Sequence, residues 1–136
     1  MTLVLDTNIL IALERRQEWA IRGYQEAISS GEQLSVPSLV RYEARRGLLK
    51  AEFAPQLSLM DNLLAFIPVL DFDARCADIA ADLYHHLRSA GILIEDADLL
   101  IAATAMRHGA TLITRNTKHF KRISGLNLLD WQQEPQ

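Results

Sequence analysis

Thr2-Leu3-Val4-Leu5-Asp6-Thr7-Asn8 decides how the rest of the chain is read. Its first half is a short apolar run with strand character. A second apolar run, Ile9 to Leu13, follows at once. A carboxylate between two hydrophobic runs needs a reason, because burying an unpaired charge is costly. One reason is a helix N-cap, with Asp6 or Thr7 accepting hydrogen bonds from a helix that begins near Ile9. The other is a metal ligand at the carboxyl end of a first β-strand, where open α/β sheets place their sites. Taken alone, the stretch favours the cap.

Outward from it, helices and strands alternate. Ile9 to Glu14 reads as a short helix. Glu18 to Ser30 reads as an amphipathic one, with Ile21, Tyr24 and Ile28 at helical spacing. Gln33 to Val36 is a second strand, closed by Pro37. Ser38 to Lys50 is a helix with Ser38 as its cap, and Pro55 begins another that runs to Phe66. Ile67 to Leu70 is a third strand or extended segment. Asp73 caps a long helix from Ala74 to Ala90, whose apolar face is Cys76, Ile79, Ala80, Leu83, Tyr84 and Leu87. A helix through Met106, opened by Asp98 and apolar almost all round, belongs at the centre. Ala110 to Thr114 is a strand, Arg115 to Arg122 a basic loop or helical turn, and Leu126 to Trp131 a last strand before a polar tail. This alternation implies an α/β fold with a mainly parallel sheet between helices.

The chain has 136 residues, 49% of them hydrophobic, which fits one domain over 1–136 with a substantial core and excludes disorder. The single cysteine, Cys76, has no internal disulfide partner, which points to a reducing compartment. No basic leader precedes the first apolar run, and no apolar stretch reaches membrane-spanning length. The expected location is the cytoplasm, away from membranes. A net charge of -3 argues against general coating of nucleic acid. Yet ten of the 14 Lys and Arg residues fall in three stretches, Arg15-Arg16, Arg41 to Lys50 and Arg115 to Arg122, which flank the acidic candidates. For any one stretch, a solvated helix face is the plainer explanation.

Those candidates are few. Glu43 shares a helix face with Leu39 and Val40, so it points the way the apolar residues point. It is either bound to a cation or paired with Arg46 at i+3. Asp98 opens the buried helix on the face of Ile101 and Ala102, and either it or Asp96 caps that helix. Asn116 follows the strand after it. In a parallel sheet the ends of same-sense strands share an edge, so Asp6, Asp98 and Asn116 can converge, and an inward Glu43 can meet them. Clustered carboxylates repel unless a cation lies among them. Hard oxygen ligands suit Mg²⁺ or Mn²⁺, and no His/Cys set suits zinc. Such an ion supports attack of water on a phosphodiester, and the neighbouring basic side chains would hold the flanking phosphates. The residues therefore suggest a metal-dependent nuclease.

Leu5-Asp6-Thr7-Asn8, Glu43, the run Asp98 to Ala105 and the run Thr114 to Phe120 resemble the signature of PIN-domain ribonucleases. More closely, the chain resembles VapC toxins of bacterial VapBC toxin–antitoxin pairs, and the likeness extends to Gly125-Leu126 and Leu129-Asp130-Trp131. The resemblance implies an α/β/α sandwich, Mg²⁺- or Mn²⁺-dependent RNA cleavage, a homodimer and a cognate VapB-like antitoxin. It implies a catalytic set of Asp6, Glu43, Asp98 and Asn116, with metal at Asp6, Glu43 and Asp98 and Asp96 as a further candidate. Thr7, Asn8 and Thr114 would orient the acidic groups; Arg115, Lys118 and Arg46 would contact RNA. Many relatives are acidic where this chain has Asn116, so the number of metals, one or two, stays open. The alternatives are a catalytically silent PIN-like RNA-binding module and a structure-specific DNA nuclease. An aspartyl phosphotransferase does not fit, because no second Asp follows Asp6 at two-residue spacing.

Overall fold

The computed structural model describes residues 1–132, so the last four residues of the polar tail, 133–136, lie outside the description. The chain runs β1 (Thr2–Leu5), α1 (Thr7–Glu14), α2 (Glu18–Ser29), β2 (Gln33–Pro37) and α3 (Ser38–Arg46). It continues through a 3₁₀ turn (Ala51–Phe53), α4 (Ala54–Leu64), β3 (Val69–Leu70) and α5 (Ala74–Ser89). It ends with α6 (Asp96–Arg107), β4 (Thr111–Ile113), α7 (Thr117–Phe120) and β5 (Asn127–Leu129). The strands form one sheet in the order β3-β2-β1-β4-β5, and every pairing is parallel. Helices flank it in an α/β/α sandwich, as expected for parallel strands joined by helical crossovers.

β1 is central. Leu3, Val4 and Leu5 are buried, and they pair with β2 on one side and β4 on the other. Both faces of such a strand are covered, which is why it reads as an unbroken apolar run. α6 is the buried helix: Leu99 and Ile101 to Ala105 are all inaccessible. Its small side chains allow α5 to pack closely along it.

The element ends differ from the sequence reading for local reasons. α1 starts at Thr7, with Asp6 as its N-cap, and not at Ile9. α3 stops at Arg46 because Gly47 follows, and the next turn forms separately at Ala51. Ser38 does not cap α3; Pro37 holds the cap position and supplies no side-chain bond. Tyr84 and Ile28 sit on the predicted apolar stripes yet are about half exposed, at the rims of α5 and α2. Asp73 does cap α5: its Oδ1 accepts from the Cys76 amide at 2.9 Å, and this bond is the main reason that its carboxyl lies at about 2.

In α2 the Trp131 ring packs against the backbone at Gly23, and a Cβ there would fall inside contact distance of the ring. Gly23→Ala is therefore expected to destabilise the fold by ~1–3 kcal/mol, the usual cost of overpacking, despite its better helix propensity. The measurement is the denaturant midpoint with Trp fluorescence, and an unchanged midpoint would contradict the packing.

Candidate active site

Asp6 is 6% exposed and sits where β1 hands over to α1. Its amide donates to the Ile113 carbonyl at 2.9 Å, which extends the β1–β4 ladder by one residue and brings Asp6 beside Thr114. Its carboxylate is held by its neighbours. Oδ1 accepts from the Thr7 amide at 2.8 Å. Oδ2 accepts from Thr114 Oγ1 at 2.8 Å and from Asn8 Nδ2 at 3.4 Å. The Thr114 hydroxyl also accepts from the Asn116 amide at 3.0 Å. One buried hydroxyl thus ties the ends of two strands together.

Asp6 is the N-cap of α1, as the first reading expects, and it stands at the strand end where the second would place a metal ligand. Thr7 and Asn8 do not cap α1. Thr7 is its first residue, and its hydroxyl donates to Glu43 Oε1 at 2.8 Å. Glu43, largely buried, meets Arg46 Nη2 only at 3.8 Å, so the internal pair is loose and the contact to Thr7 is the closer one.

Asp98 opens the first turn of α6 without capping it. Glu95 holds the cap position and makes no side-chain bond, and Asp96 is exposed in the same turn. Both carboxylates still gain from the helix N-terminus. Asp98 Oδ2 instead meets His119 Nε2 at 3.0 Å. A cavity of about 590 Å³ opens beside this pair, lined by Leu93, Ile94, Glu95, Asp98, Asn116, His119 and Arg122. His119 is the site residue that sequence reading missed. Its signal was its place three residues after Asn116, on the same face of a short helical turn. Asp96 does not line this cavity. Of the basic candidates, Arg115 stacks on the Trp19 ring at 5.1 Å, Arg46 lies over Tyr42 at 5.0 Å, and Lys118 is exposed on α7.

The electrostatics fit an anionic pocket. Burial pushes the Asp6 carboxyl up, its hydrogen bonds oppose this, and the charges of Asp98 and Glu43 add to it. Burial likewise raises Asp98, against the pull of His119 and with repulsion from Glu95 and Glu43. Among the described residues, no three His, Cys, Asp or Glu side chains stand close enough to enclose one ion. A closed cage is not what Mg²⁺ needs: it keeps several waters and takes one or two carboxylates. The donor set, oxygen only and mutually repelling, fits such an ion.

Thr114→Val is a clean test of how the pocket is held. It preserves shape but leaves the Asn116 amide without its acceptor and removes one of the three donors to Asp6. The expected loss of stability is ~1–3 kcal/mol, with Thr114→Ser largely sparing it. Equal melting temperatures for Val and wild type would show that the hydroxyl does not hold the site together.

The PIN domain family model matches residues 3–126. Ribonuclease VapC2 of Rickettsia felis is 32% identical over 98% of this chain and all of its own length. The tRNA(fMet)-specific endonuclease VapC of Shigella flexneri is 28% identical over 94% of this chain and 96% of its own. Among solved structures, VapBC2 from Rickettsia felis bound to a DNA fragment from their promoter superposes with a TM-score of 0.90 at 29% identity, covering 97% of this chain and 100% of the other. The chain belongs to the PIN-domain family, among the VapC ribonucleases. Among the described residues, no helix is long and apolar enough to cross a membrane.

Proposed function

We propose that the protein is a Mg²⁺- or Mn²⁺-dependent endoribonuclease of the cytoplasm, the toxin of a toxin–antitoxin pair, neutralised by a VapB-like antitoxin. The observation that carries this reading is the placement of Asp6 at the carboxyl edge of a parallel sheet, with Glu43 bonded to the adjacent Thr7 and with Asp98 and Asn116 lining one cavity. Of Asp6, Glu43 and Asp98, one or two would ligate the cation directly and the rest would hold it through its waters, and Asn116 would add an amide oxygen or position a water. Asp96, exposed and outside the cavity, is the weakest candidate ligand. When bound, the cation supplies an activated water and a polarised phosphoryl group.

The chain's own side chains do the rest. Thr114, Asn8 and the Thr7 amide fix Asp6, and the Thr7 hydroxyl fixes Glu43. Arg115, Lys118 and Arg46 neutralise flanking phosphates, Arg115 with its guanidinium already steadied on Trp19. A mainly apolar groove of about 620 Å³ runs from Glu43 past Leu48, Phe53, Leu59 and Met60. An antitoxin arm lying in that groove would deliver a basic residue to the carboxylates. A single PIN domain over 1–136, assembled as a homodimer, completes the proposal.

The test is cleavage of total RNA by partner-free protein in Mg²⁺, Mn²⁺ or EDTA, beside Asp6→Ala. Discrete fragments with either metal, and none in EDTA or with the variant, are expected. Binding without cleavage would favour a silent RNA-binding module, and cleavage of structured DNA alone would favour a DNA nuclease.

A further inference from the structure

Arg122 grips the ring of His119 and the loop before α6 at once. Its Nε donates to the His119 carbonyl at 2.9 Å and its Nη1 to the Leu93 carbonyl at 3.1 Å. Its Nη2 lies 2.7 Å from His119 Nδ1 and 3.4 Å from Nε2, against the face of the ring. Nε2 faces Asp98 Oδ2 at 3.0 Å. A carboxylate has acceptors only, so in that contact Nε2–H donates. The imidazole also packs edge-to-face with the fully buried Phe120, ring centroids 5.4 Å apart.

We infer that His119 is a positioning residue for Asp98: Arg122 holds the ring in place against the loop before α6, and Nε2–H engages Oδ2, leaving Oδ1 for a divalent cation. The inference rests on the reading of Asp98 as a metal ligand. The logic is that of hydrogen-bonded partners behind metal ligands in general, whose loss costs about 10–100-fold in metal affinity or activity. A carboxylate free to rotate among the charges of Glu95 and Glu43 would spend less time in the one orientation that serves the cation.

The experiment is Mn²⁺ binding to partner-free protein, followed by electron paramagnetic resonance of the free ion, with kcat and KM for RNA measured on the same samples. His119→Ala is expected to weaken Mn²⁺ binding about tenfold and to lower kcat while KM for RNA stays unchanged. His119→Gln, whose amide nitrogen reaches about as far as Nε2, is expected to recover most of both. Arg122→Ala should weaken Mn²⁺ binding in the same direction as His119→Ala. Circular dichroism and melting confirm that each variant is folded. If wild type binds Mn²⁺ and His119→Ala binds it as tightly, the inference is overturned and the metal site stands. If His119→Gln is as weak as His119→Ala, a donated hydrogen bond is not the device. If wild type binds no Mn²⁺, the reading of the site itself fails, and the inference with it.

Discussion

Asp98→Asn is expected to lower RNA cleavage by about a hundredfold or more while the protein remains folded. The magnitude follows from the several kcal/mol that a positioned metal contributes to stabilising charge in the transition state, each 1.36 kcal/mol being worth tenfold. The fold survives for a specific reason. Asp98 is not a cap, since Glu95 holds that position, so no helix terminus depends on its side chain. Asn can still accept from His119 Nε2, the one close contact that Asp98 makes. A variant with normal activity would reduce Asp98 to a helix-dipole residue.

Asp6→Asn is expected to abolish activity and yet raise the melting temperature of the metal-free protein. Burial and the charges of Asp98 and Glu43 hold the Asp6 carboxyl above its ordinary value of 3.8. The folded chain therefore binds more protons than the unfolded chain in the acid range. The contribution of this group to metal-free stability is greatest below that ordinary value and falls as pH rises through the folded-state value. Asn removes the charge and keeps an acceptor for the Thr7 amide. Asp6→Ala behaves differently, because it strands the Thr7 amide and the Thr114 and Asn8 donors, at a cost of ~1–3 kcal/mol. Thermal melts over pH, with and without Mg²⁺, separate these effects. Mg²⁺ should raise the melting temperature of wild type, by linkage, and leave that of Asp6→Asn unmoved. A lower melting temperature for Asp6→Asn than for wild type would mean that its hydrogen bonds outweigh the buried charge.

The trade between stability and activity explains why the opening stretch of the chain was informative. Four apolar residues and a carboxylate specify a buried strand whose last side chain must do something. Hydrophobic period then placed β1, α5 and α6, because strands covered on both faces and helices buried all round carry the strongest patterns. Helix ends were less legible. Gly47 ends α3 four residues before the basic run does, and the cap position at Pro37 depends on where β2 leaves the sheet. The carboxylates of the pocket were visible, since each sits oddly in its own apolar surroundings. Their partners were not. His119 reads as one more residue of a basic turn until α7 is docked beside α6 and brings it to Asp98. Arg115 likewise reads as a mobile cation until the Trp19 ring is beneath it. Contacts between side chains that are remote in sequence and ordinary in type leave no periodic trace. The pattern of repulsion, by contrast, can be read from the residue types alone.

The proposed reaction is attack on the phosphodiester by water activated among these carboxylates. End-group analysis of the RNA fragments from a single turnover in Mg²⁺ tests it most directly. Water attack predicts fragments with linear terminal phosphate and no 2′,3′-cyclic phosphate at any time point. A 2′,3′-cyclic phosphate end would mean that the neighbouring 2′-hydroxyl is the nucleophile, and would contradict the role assigned to Asp6, Glu43 and Asp98.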